Sequence, residues 1–117
     1  MKAILIDPHT RSVSEVEVSE KNFLKDLYAH IGCGLVERTI ADDRKHEIWL
    51  DEEGLFSESV QLFSLEGYPQ DAYAGKGVML GCNRTLTGSK DCALTLDEVK
   101  AKVKFMSPYE YLKSRQQ

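Results

Sequence analysis

Three apolar stretches that run into or out of glycine restrict what this chain can fold into. They are Ile31-Gly32-Cys33-Gly34-Leu35-Val36-Glu37, the run from His46 through Trp49 and Glu53 to Gly54-Leu55, and Ala74-Gly75-Lys76-Gly77-Val78-Met79-Leu80-Gly81. Short apolar runs bounded by glycine and polar residues read as strands and turns rather than long helices. The three stretches specify a compact mixed fold. None carries a set of groups that performs a recognised reaction.

The rest of the chain fits that reading. Lys2–Ile6 is closed by the turn Asp7-Pro8-His9-Thr10, and Ser12–Val18 alternates, so the two form a hairpin. Ser19 offers a hydroxyl N-cap to a helix with Phe23, Leu24, Leu27, Tyr28 and Ile31 on one face. Gly32 suits the left-handed position that ends it. Leu35–Ile40 and His46–Leu50 are strands joined by the polar turn Ala41–Lys45. Asp51-Glu52-Glu53-Gly54 suits a type I turn with its glycine left-handed. Within 55–75, Val60, Leu62 and Phe63 fit a short strand or helix, and Gly67–Asp71 fits a loop. Gly77–Cys82 is a strongly apolar strand whose partner is expected to start at Cys92–Leu94, across a long polar connection. Thr95-Leu96-Asp97-Glu98 is a capping box for a short helix to about Val103. Ser107-Pro108-Tyr109-Glu110 repeats the device with proline at the first helical position, ahead of a tail expected to fray at about 114–117.

A chain of 117 residues is read as one domain able to bury a core without metals or disulfides. No apolar run approaches the ~20 residues of a membrane helix. The first eight residues turn acidic too soon for a secretory signal, so a cytoplasmic location is expected. Cys33, Cys82 and Cys92 are odd in number and match no zinc half-site; Cys82 and Cys92 flank a turn where they can meet, and in a reducing cytoplasm are expected to be buried apolar thiols. Charge is uneven. Residues 1–75 carry 7 Lys/Arg against 15 Asp/Glu, whereas residues 76–117 carry 8 against 4.

Several constellations invite a function, and each has a plainer explanation. Gly75-Lys76-Gly77 can cradle a phosphate with its amides and add the charge of Lys76. A P-loop, however, needs more residues before its lysine and leads into a helix, whereas these glycines lead into a strand. Asp51-Glu52-Glu53 lacks the spacing of a calcium loop. His9, His30 and His46 form no metal pair, and His30 near Cys33 has no third group to orient it. Lys100, Lys102, Lys104, Lys113 and Arg115, with Tyr109 and Tyr111, can form a nucleic-acid surface; the plainer reading is the wet side of a packed element.

Taken together, Met1–Pro8, the Ile31–Glu37 step, Trp49–Leu55, Ala74–Gly81 and Leu94–Val99 resemble a family of small proteins of unknown function. Its members are common in bacteriophages, plasmids and the bacterial genomes that carry them. The resemblance covers most of residues 1–105, departs at 57–73 and after Met106, and brings no catalytic residues. It implies a mobile-element origin, in which small proteins bind and modulate host factors.

The expectation is therefore an α+β domain: a mostly antiparallel sheet of five or six strands, one main helix on one face and short C-terminal helices. The expected function is non-catalytic, without metal or cofactor: binding a host protein, in the manner of an anti-defence accessory. The acidic surface of residues 42–58 or the Tyr68–Tyr73 loop would make the contact. The alternative is a nucleotide- or nucleic-acid-binding module using Gly75, Lys76 and Gly77, or Lys102 and Lys104. Exposed sheet edges make a homodimer an open alternative, and no membrane is expected.

Overall fold

The computed structural model describes residues 1–56 and 58–115. Along the chain run β1 (Lys2–Asp7), β2 (Ser12–Glu17), α1 (Phe23–Ile31), β3 (Val36–Ile40), β4 (His46–Asp51) and a 3-10 turn at Gly54–Phe56. Then follow β5 (Leu62–Leu65), β6 (Tyr73–Ala74), β7 (Gly77–Cys82), β8 (Ser89–Lys90), α2 (Leu96–Lys102), β9 (Val103–Met106) and α3 (Pro108–Ser114).

The strands form two antiparallel sheets. The larger has the order β2-β1-β7-β4-β3, with β8 pairing the far end of β7. The smaller has the order β6-β5-β9. The fold is thus α+β and mostly antiparallel as expected, but the strands divide into two sheets instead of one.

Burial explains the layering. Side chains alternate across a strand, so Ala3, Val78 and Leu80 face one side of the large sheet, while Ile4, Ile6, Ile48 and Met79 face the other. The first side packs on Leu27 and Ile31 of α1. The second packs on Phe63, Leu65 and Tyr73 of the small sheet and Val99 of α2. With both faces covered, all six residues of β7 are buried, which is why its sequence is continuously apolar rather than alternating.

Local signals held in some places and yielded in others. Both capping boxes form: Thr95 with Glu98, and Ser107 with Glu110. Gly32 ends α1 at φ +78°, its N–H donating to the Tyr28 carbonyl. Ser19 is not the N-cap, because α1 starts four residues later, after Asn22. Its hydroxyl instead accepts the Asn22 N–H and donates to Asp26, which also accepts the Ser19 N–H. Leu24, placed on the apolar face of the helix, is 48% exposed. Cys92–Leu94 is not the strand beside β7; β8 takes that place, and the Cys92 amide donates to the Lys2 carbonyl. The helix after Thr95 stops at Lys102, where β9 begins. At the tail, α3 ends at Ser114 and Arg115 lies in a turn; Gln116 and Gln117 fall outside the described residues.

Candidate functional site

The glycine turn serves packing. Gly75 has φ +79° and donates its N–H to the Gln61 carbonyl, so that amide is already engaged. A Cβ on Gly77 would lie 2.7 Å from Ile48 Cδ1 and 3.0 Å from Phe63 Cζ. The residue is glycine because the two sheets meet there. Lys76, half-buried, lines a small cavity with His9, Asp51 and Gly54.

The remaining sequence candidates are dispersed. Lys102 ends α2 and lines a different cavity, with His46 and Tyr68. Lys104 is exposed on β9 opposite Ser64. Arg115 reaches Asp71 at 2.5 Å and lies over the Tyr111 ring, and Lys113 lies over Tyr109. Part of the basic set is therefore engaged within the molecule. Tyr73 is buried against Phe63, and its hydroxyl accepts the Gln70 N–H at 3.3 Å. Tyr68 packs on the same core. Contrary to the sequence expectation, the Tyr68–Tyr73 loop turns its rings inward, leaving Tyr73 no surface to offer a partner.

Of the acidic surface expected at residues 42–58, most of the β4 part is buried, including Glu47, whereas Glu52 and Glu53 are exposed beside large apolar side chains. Asp51 accepts the Glu53 N–H at 2.9 Å, and the Glu53 carbonyl accepts the Phe56 N–H at 3.0 Å, winding residues 51–56 into a tight turn. Gly54 is not left-handed, as its turn chemistry suggested. Its role is close approach: a Cβ there would lie 2.7 Å from the Ala74 carbonyl oxygen. The turn is thereby seated on β6, with Leu55 73% and Phe56 83% exposed. Glu52 donates its N–H to the Leu35 carbonyl, which brings exposed Leu35 to the same edge. Leu55 borders a cavity of about 290 Å³ shared with Glu37, Glu52 and Tyr111.

Two buried polar arrangements are not announced by any sequence motif. On the helix-covered face, Glu47 of β4 is fully buried. Its Oε2 accepts the Trp49 indole N–H and the Ser89 hydroxyl, and its Oε1 lies 3.5 Å from Arg38 Nη1. On the opposite face, His46 Nδ1 lies 3.1 Å from Asp43 Oδ2, so the ring donates to the carboxylate. Burial alone would raise the Asp43 carboxyl, but the Lys45 N–H and the His46 ring hold it below its usual range. Among the described residues, His46 Nε2 and the Tyr68 hydroxyl are buried without a hydrogen-bond partner, and both residues line a cavity of about 250 Å³. Burial, with the nearby Asp43 charge adding to it, pushes the Tyr68 hydroxyl well above the ordinary tyrosine range.

The three cysteines are free thiols. Burial raises each of them. Among the described residues, no group of three His, Cys, Asp or Glu side chains is placed to hold a metal ion. No helix among them is long and apolar enough to cross a membrane.

Fold and surface define a small antiparallel α+β domain with an exposed acidic-apolar edge. The chain belongs to the family described as a domain of unknown function, DUF3846, whose model matches residues 1–106. It is similar to the uncharacterized protein y4iR of Sinorhizobium fredii (strain NBRC 101917 / NGR234), 35% identical over 78 residues. That match covers 67% of this chain and 47% of the relative, so the chain spans about half the length of the protein it resembles. No solved structure matches the chain.

Proposed function

We propose that this protein is a non-catalytic, cytoplasmic accessory protein of phage or plasmid type that acts by binding a host protein, in the manner of an anti-defence factor. The observation that carries this reading is the exposure of Leu55 and Phe56 on a turn seated against Ala74. Large apolar side chains held side by side in water mark interaction surfaces. Here they sit among Asp51, Glu52 and Glu53, so the fitting partner has an apolar pocket with a basic rim. The apolar pair supplies the buried contact, and the carboxylates steer the encounter.

The test is capture of partners from host lysate at low and moderate salt, with nuclease treatment. A stoichiometric protein that survives nuclease and is lost with Phe56→Ser supports the reading. Recovery of nucleic acid alone, weakened by Lys102→Glu with Lys104→Glu, would transfer the function to the basic end of the chain.

A further inference from the structure

We infer that the cavity between the N-terminal end of α1 and the β8 loop binds a small molecule made of a planar ring bearing a carboxylate or phosphate. The inference is independent of the protein-binding edge, which is built from other residues. The cavity measures about 400 Å³ and is lined by Met1, Glu20, Phe23, Arg38, Trp49, Thr87, Gly88 and Ser89. That volume lies within the range of small-molecule sites, roughly 300–1,000 Å³.

The walls supply two kinds of recognition. Phe23 stands edge-on to Trp49, with centroids 5.3 Å apart at 76°, making a fixed aromatic corner for a ring. Arg38 is the cross-strand partner of Trp49, so guanidinium and indole share one face of the sheet. Arg38 is 31% exposed, whereas the carboxylate that holds it, Glu47, is fully buried. Burying a carboxylate is costly unless it is paired. Glu47 meets part of that cost by accepting from Trp49 and Ser89 through one oxygen; the other makes no hydrogen bond among the described residues and faces Arg38 as an ion pair.

The arrangement orients the guanidinium. An arginine fork carries five donors, and Glu47 Oε1 at 3.5 Å faces one of its nitrogens, which leaves donors for a bidentate anion. Glu47 thus positions Arg38 and does not itself reach a ligand. Glu20 is exposed, where salt screens its charge.

The chain has one tryptophan, so its indole N–H gives a single nuclear magnetic resonance signal on the cavity wall. The test is titration of the full chain with AMP, with benzoate and with adenosine, following the Trp49 indole, the Arg38 side-chain N–H and the Gly88 amide. AMP or benzoate is expected to produce saturable shifts at all three, with adenosine at least about tenfold weaker because it lacks the anion. Which of AMP and benzoate binds more tightly distinguishes a phosphate from a carboxylate. Arg38→Lys, which keeps the charge and loses the fork, is expected to weaken binding about tenfold. No saturation with either anion, equal binding of adenosine, or shifts confined to other parts of the molecule would overturn the inference, and these readouts need no variant.

Discussion

The carboxylate of Glu47 accepts the indole N–H of Trp49, its neighbour two positions along the same strand. Residues two apart on a strand share a face, so this contact fixes a polar centre under α1, where the surrounding side chains are apolar. Everything attached to that centre inherits its rigidity. Ser89 is drawn in from β8 and Arg38 from β3.

Glu47→Ala therefore leaves the Trp49 and Ser89 donors unpaired and removes the counter-charge of Arg38. Breaking a buried pair from one side costs about 3–5 kcal/mol. Glu47→Gln keeps an acceptor oxygen for both donors, so its cost is the smaller of the two. Urea unfolding of both variants measures the difference; equal losses would mean that the hydrogen bonds contribute little.

Tyr68→Phe removes a buried hydroxyl that has no hydrogen-bond partner among the described residues, and the expected result is a gain of about 1 kcal/mol in unfolding free energy. Burial is the main cause of the raised Tyr68 value. A group whose folded value is raised favours the folded state below its unfolded value, about 10 for tyrosine. That contribution is lost as pH rises beyond this point, because the unfolded chain ionises first. Denaturant titrations at pH 9 and 11 should thus show a steeper alkaline loss for the wild type than for Tyr68→Phe. Destabilisation by Tyr68→Phe at neutral pH would show that the hydroxyl is held by a bound polar molecule.

Glu110 accepts the Ser107 N–H and hydrogen-bonds Arg11, which hold its carboxyl down at about 2. A lowered carboxylate favours the folded state above its unfolded value, 4.5, and loses that contribution as pH falls toward 2. The expected outcome is release of α3 from the β1–β2 turn within that window, visible in the Glu110 carboxyl resonance. Arg11→Gln should raise its midpoint without restoring 4.5, since the Ser107 N–H is the larger cause. An unchanged midpoint would remove Arg11 from the account.

Gly77→Ala places a methyl group into Ile48 and Phe63. Overpacking of this kind costs about 1–3 kcal/mol, and thermal unfolding should show it. A neutral Gly77→Ala would mean that the junction of the two sheets is looser than its distances indicate.

What could be read in the sequence was local. The capping boxes at Thr95 and Ser107 each complete themselves within four residues, and β7 is apolar enough to declare itself from composition. The small sheet was not legible because β9 spans only Val103–Met106 and exists by pairing with Leu62–Leu65, about forty residues earlier in the chain. The alternation Lys102-Val103-Lys104-Phe105 was its trace. Tyr68 and Tyr73 resemble loop aromatics until that sheet is in place to cover them. The Arg38–Glu47 contact depends on the register that sets Arg38 opposite Trp49. Its one advance signal was a glutamate inside the otherwise strand-forming run His46–Leu50. The exposed pair Leu55–Phe56 followed an acidic turn that was recognised, but its exposure depends on Gly54 closing against Ala74.

Binding through the Leu55–Phe56 edge is tested by comparing the host protein retained by wild type, Leu55→Ser and Phe56→Ser at matched concentration and moderate salt, with each variant's melting temperature recorded beside it. Both side chains are exposed, so the variants should melt within a few degrees of wild type. Each variant is expected to lose the retained partner while remaining folded. Undiminished capture by both folded variants would contradict binding through that edge.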